Sequence, residues 1–284
     1  KEMRKKHTIL APQMSPIHFE IIEAAFNCHG YRLEILPSND RKAVDEGLKH
    51  VNNDACYPSI LVVGQFVQAL KSGKYDLNNL SLMITQTGGG CRATNYIAFI
   101  RKALRDLGYG HIPVISLNAS GLEGNPGFQI TLPLVNSAMM AVCYGDLLMR
   151  MLYRMRPYEA VPGSANELYQ KWNKICKEAV RHGRVGTYRK NVRDMVREFD
   201  SLPITDVKKP RVGLVGEILV KFSPLANNHV VDLLESEGAE AVMPDLLDFL
   251  LYCFYNSNFK AENLGGKKST AWLCNAAIQL LEYF

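Results

Sequence analysis

No two cysteines in this chain stand in C-x-x-C spacing, and no stretch approaches the ~18 apolar residues of a membrane helix. The seven thiols are Cys28, Cys56, Cys91, Cys143, Cys176, Cys253 and Cys274, an odd and widely scattered set. That pattern excludes a secreted disulfide framework and a zinc ribbon, and makes a reducing cytoplasm the expected compartment. Cys28, Cys143, Cys176 and Cys274 fall among apolar residues at helical spacing and are expected in the core. Cys253, in "DLLDFLLYCFYN", reads as core or as a ligand. The net charge is +5, but "MRKK" and "KKPR" are isolated and no basic stripe is interleaved with aromatics. Neither a nucleic-acid nor a membrane partner is expected.

With 47% hydrophobic and 21% charged residues the chain is globular, and 284 residues suffice for one large domain or two ordinary ones. Strand-like runs "HTILAP", "YRLEILP", "LSLMITQ" and "IPVISLN" alternate with helical runs. "SPIHFEIIEAAFNCHG" carries Ser15 as N-cap, Pro16 at N1 and Gly30 as stop. "CRATNYIAFIRKALRDLGYG" reads as one long helix. The alternation predicts α/β architecture: two doubly wound, flavodoxin-like parallel-sheet domains joined by a helical segment. The expected units are residues 1–125, a helical bridge over 126–205, and a second, incomplete domain over 206–284. From the start at Lys1 and the apolar helical run reaching Phe284, a fragment of a longer protein or a processed terminus is expected.

The densest chemical signal is "QTGGGCRATNY", in which Gly88, Gly89 and Gly90 lie between a strand and Cys91. Three glycines bring an entropic cost that makes sense where a phosphate, a thiolate's substrate or a metal cluster approaches the backbone. The run lacks the G-x-G-x-x-G spacing of a dinucleotide site and the Lys-Ser/Thr of a P-loop. A phosphatase-like loop would need Arg where Ile97 stands. Metal or cluster ligation remains the best reading of Cys91. Cys56, in "NNDACYPSILVVGQ", also precedes a helix and lies 35 residues earlier. Helix N-termini favour the thiolate, and in a doubly wound sheet they converge on the carboxyl edge of the strands. "PQMSPIHFE" places Gln13, Ser15 and His18 on that edge, His18 as a proton donor or as a capping or packing group. Glu217, Lys221 and Asn228 of "VGEILVKFSPLANN" are candidates for a cleft between the units.

Taken together, "ILAPQMSPIHF", "VNNDACYPSILVVGQ", "SGKYDL", "QTGGGCRATNY" and "YGDLLM" resemble the large 2-hydroxyacyl-CoA dehydratase activase-related proteins of anaerobic bacteria. The likeness is to their dehydratase-like region and covers nearly the whole chain; nothing like their ATP-binding region is present. It implies a 4Fe–4S iron–sulfur cluster ligated by three cysteines and fed single low-potential electrons by an ATP-dependent activase domain. In that family a ketyl radical then permits loss of the β-proton and the hydroxyl group from an acyl-CoA substrate. Carried over, Cys56 and Cys91 are the first two cluster ligands. Gly88, Gly89, Gly90 and Gln86 are cofactor-side groups, and Ser15 and His18 are substrate-side catalytic groups. The third ligand is expected in a Cys-Leu-Pro-Asn-His-like segment that these residues do not contain, with Cys253 the only stand-in. A homodimer fits the pairing of similar subunits in relatives. Two other roles stand beside this one: a non-catalytic electron relay or docking region, and a metal-free α/β protein holding a small anion at the glycine loop.

Overall fold

The computed structural model describes residues 4, 6–37, 41–86, 92–118 and 128–282. The chain opens with β1 (Thr8–Ala11), α1 (Pro16–Cys28), β2 (Leu33–Ile35), α2 (Arg41–Leu48) and α3 (Tyr57–Lys71). It continues with β3 (Leu80–Gln86), α4 (Tyr96–Asp106) and β4 (Val114–Asn118). The four strands form one parallel sheet in the order β2-β1-β3-β4. The order reverses between β1 and β3, which is where ligands of open α/β sheets sit.

Side chains alternate across this sheet, as the period of a strand requires. Leu10, Leu82 and Ile84 pack with Phe66 of α3 and Ile97 and Ile100 of α4. Ile9, Ala11 and Met83 pack on the other face with Phe26 of α1 and Leu134. α3 is buried on nearly every side, which suits its lack of a polar stripe. It meets α2 backbone to backbone: a Cβ on Gly64 would lie 1.7 Å from the Ala43 carbonyl oxygen, and one on Gly47 would lie 2.0 Å from that of Ile60.

Three long helices follow: α5 (Leu132–Met155), α6 (Ser164–His182) and α7 (Val185–Asp200). With α1 they bury Tyr144, Leu148, Trp172, Cys176, Met195 and Phe199 in a second core. The opposite side of α5 packs Val142 and Met149 against Phe222, Ala241 and Met243. Against expectation, one stretch, Leu132–Tyr158, is long and apolar enough to cross a bilayer by length and composition. Its apolarity has an internal use, since α5 faces the first sheet, the helical layer and the following unit at once.

The last unit comprises β5 (Arg211–Gly213), α8 (Ile218–Phe222), α9 (Val230–Ser236), β6 (Glu240–Val242), α10 (Leu246–Asn263) and α11 (Lys268–Glu282). β5 and β6 pair in parallel as a two-stranded sheet. The structure is therefore α/β and mostly helical, with eleven α-helices among the described residues; the second sheet has two strands there. Glu240, 2% exposed, ties this unit to the helical layer. Its carboxylate accepts hydrogen bonds from Arg154 at 2.5 Å, Tyr158 at 2.8 Å and Arg211 at 3.1 Å.

Two local expectations are corrected. The helix expected to start at Cys91 begins at Tyr96, after a 3-10 turn over Arg92–Asn95. Cys28 is exposed, because it ends α1, where packing partners run out.

Candidate functional site

The carboxyl edge of the four-stranded sheet gathers the loop after β1, the start of α3, the end of β3 and the start of α4. Cys56 is the N-cap of α3, half-buried against the first core. Its carbonyl accepts the Ser59 N–H at 2.9 Å and the Ser59 hydroxyl at 2.6 Å, which closes the first turn. Its Sγ lies 3.3 Å from the Tyr96 hydroxyl, at the first residue of α4. Gly88, Gly89, Gly90 and Cys91 lie outside the described residues. Gln86, the last residue of β3, is 8% exposed, and its side-chain carbonyl accepts the Ser116 hydroxyl.

Gln13 is 7% exposed. Its backbone N–H donates to Gln65 Oε1 at 2.8 Å, and Gln65 Nε2 donates back to the Gln13 carbonyl at 3.4 Å. This exchange pins the loop after β1 to the middle of α3. The Gln13 side-chain oxygen is buried with no partner among the described residues.

Ser15 and His18 lie side by side, and a third residue completes the set. Ser15 is the N-cap of α1, but its hydroxyl caps no backbone group. It lies 2.7 Å from His18 Nδ1 instead. His18 Nε2 lies 2.8 Å from Asp146 Oδ1. Asp146 Oδ1 also accepts the Leu246 N–H at 2.6 Å, and Oδ2 accepts the Leu247 N–H at 2.9 Å. The carboxylate has only lone pairs to offer, so Nε2 donates to it; in the tautomer that carries its proton there, Nδ1 accepts the Ser15 hydroxyl. All three side chains are at least nine-tenths buried, with His18 at 0% exposure.

Gly145 makes room for this ring: a Cβ there would lie 2.4 Å from His18 Cδ2. The Phe222 ring meets the imidazole edge-on at 5.6 Å between centroids. The array joins α1, α5, α8 and the first turn of α10. Asp146 was not picked out from sequence; the available signal was a lone carboxylate beside a glycine in the apolar run "CYGDLLM".

Lys221 lines a cleft together with Ser15 and Asn227. Glu217 is exposed, and its carboxylate instead caps α8 through the Val220 N–H at 2.9 Å. Asn228 is exposed, in a left-handed conformation with φ 56°. Cys253 is exposed on α10, so it is not a core residue; Cys176 is fully buried. Among the described residues no three His, Cys, Asp or Glu side chains are grouped as a metal site. Comparison with protein-family models, curated proteins and solved structures finds no match for the chain.

Proposed function

We propose that this chain is the cluster-holding α/β part of a redox component similar to the 2-hydroxyacyl-CoA dehydratases, with Cys56 and Cys91 as thiolate ligands. The observation that supports it best is the 3.3 Å contact between Cys56 Sγ and the Tyr96 hydroxyl. Tyr96 lies five residues after Cys91, so the chain leaving the glycine run starts its next helix against the Cys56 thiol. Cys56 also has the chemistry of a cluster ligand: a half-buried sulfur at a helix N-cap, beside the switch point of a parallel sheet. The described residues supply only this one thiol of the proposed set, and the other ligands fall to residues outside them.

An iron–sulfur cluster would supply one-electron transfer at this edge, with an ATP-dependent activase as electron donor and an acyl-CoA-type compound as substrate. Ser15, at the end of the loop after β1, presents a hydroxyl backed by His18 and Asp146. His18 is placed to take a proton from Ser15 Oγ while Asp146 stabilises the resulting imidazolium.

The test is iron and acid-labile sulfide content with an EPR spectrum on anaerobically purified protein. Iron and sulfide should be present in the parent, lost in Cys56→Ser and in Cys91→Ser, and retained in Tyr96→Phe. No iron in the parent, or equal iron in the parent and both cysteine variants, refutes the proposal.

A further inference from the structure

Between the first turn of α1, the facing sides of α5 and α6, and the segment that carries α8 and the start of α9 lies a cavity of about 240 Å3. Met149, Leu152, Tyr153, Phe222 and Met243 give it apolar walls. Burial pushes the Tyr153 phenol up to about 12, so it stays neutral.

Two cationic side chains, Arg156 and Lys221, line the cavity together with His229, and Arg156 is already paired. Arg156 grips Glu235 with two hydrogen bonds of 2.6 and 3.0 Å and lies 3.7 Å from Asp232. His229 Nδ1 lies 3.4 Å from Asp232. Lys221 is half-buried and forms no ion pair among the described residues; its ammonium sits 4.8 Å from the ring centroid of Phe222. Burial lowers its pKa, and neighbouring carboxylates act in the opposite direction. Asp248, Asp146, Asp245 and Glu217 lie within electrostatic reach of it. Three of these are committed elsewhere: Asp146 to His18 and two backbone N–H groups, Asp245 to Arg150, and Glu217 to Val220. Asp248 is exposed to solvent.

A second feature points the same way. Ser15 spends its hydroxyl on His18, so α1 starts without a side-chain cap. Phe19 N–H is the first to find an intrahelical acceptor, the Ser15 carbonyl at 2.9 Å. The Ile17 and His18 N–H groups, at the positive end of the α1 dipole, have no acceptor among the described residues. Ser15, Pro16 and Ile17 all line the cavity. The far wall is preformed: Asn227 donates to the Lys221 carbonyl at 3.0 Å and accepts the Val230 N–H at 3.2 Å.

Size limits the ligand. Pockets for drug-sized molecules run to roughly 300–1,000 Å3, so the part of a ligand that this cavity encloses is smaller than that. We propose that it binds a small monocarboxylic acid with a short hydrocarbon chain. The carboxylate meets Lys221 and the open first turn of α1, and the chain lies against Tyr153, Phe222 and Met149.

Butyrate is the probe, titrated into the full 284-residue chain by calorimetry in air, where the outcome is independent of any cluster. Butyrate should bind, and n-butanol and inorganic phosphate should bind at least ~10-fold more weakly. Lys221→Gln should weaken butyrate by ~10-fold or more, and Lys221→Arg should stay within ~3-fold of the parent. An unchanged far-UV spectrum in both variants confirms that the fold survives. No butyrate binding, equal binding by Lys221→Gln, or phosphate binding as tightly as butyrate overturns the proposal.

Discussion

Replacing Asp146 should separate a carboxylate that organises the molecule from one that merely sits in it. It is 5% exposed and receives three donors: His18 Nε2 at 2.8 Å, the Leu246 N–H at 2.6 Å and the Leu247 N–H at 2.9 Å. In Asp146→Asn the amide NH2 must replace one carboxylate oxygen. Placed at Oδ1 it faces the Leu246 N–H, and placed at Oδ2 it faces the Leu247 N–H. At Oδ2 it leaves the Leu247 N–H unpaired, at about 1–3 kcal/mol; at Oδ1 it leaves the Leu246 N–H unpaired and turns a donor toward His18 Nε2 as well. Asp146→Ala strands both N–H groups and the imidazole N–H, and each buried donor left unpaired costs about 1–3 kcal/mol. Domains hold about 5–15 kcal/mol in total, so the alanine variant should lose a large fraction of its stability. Urea unfolding reads this as a lower midpoint at an unchanged slope. Hydrogen exchange should quicken first at the start of α10, which Asp146 anchors. A double-mutant cycle with His18→Ala should give a coupling of about 0.5–3 kcal/mol. If Asp146→Ala unfolds within about 0.5 kcal/mol of the parent, the span of a neutral surface change, the reasoning fails.

Gly64→Ala should destabilise the protein by more than ~1 kcal/mol, because the new Cβ would meet the Ala43 backbone at 1.7 Å. Helix propensity alone predicts a gain of roughly 1 kcal/mol, so denaturant unfolding decides between the two by sign. In thiol labelling under native conditions Cys28 and Cys253 should react, and Cys176 only after unfolding. Cys176 is fully buried, and burial drives its thiol well above the usual range. Glu46 is held below the ordinary carboxylate range by hydrogen bonds from Lys49 and Lys71, at 2.5 and 2.6 Å. The unfolded chain therefore binds that proton more readily. The stability it contributes is present above about pH 4.3 and is lost as pH falls through the lowered folded value. Glu46→Gln should flatten that part of the acid limb in a pH series of melting temperatures; an identical limb in both proteins contradicts the assignment.

Where the chain was legible, local chemistry and tertiary packing agree. Ser15, Pro16 and Gly30 mark the ends of α1, and the structure starts it at Pro16 and turns at Gly30 with φ 80°. "LSLMITQ" is β3 residue for residue, because a short, mostly apolar run between turns suits a buried parallel strand. The reading weakened where neighbours decide. Cys28 shares the apolar face of α1, yet it stands exposed at the last residue of that helix. After residue 208 strands and helices do alternate, but rhythm does not count strands, and two are found among the described residues.

Asp146 is the most instructive omission, since both halves of its pair were visible. His18 stands on the apolar face of "SPIHFEIIEAAF", and Asp146 is the one carboxylate in the apolar run "AVCYGDLLM". A polar group on a buried face needs a partner, because burying it alone costs more than most single interactions return. Two such groups 128 residues apart thus each implied a missing complement. The glycine beside the carboxylate was the further clue, an absent side chain whose space the imidazole fills at 2.4 Å. Spacing along the chain cannot deliver that pairing, because the loops and helices between the two residues set it. The demand for a partner is legible all the same, and matching unpaired polar residues across apolar elements is how such an array could be found before any coordinates exist.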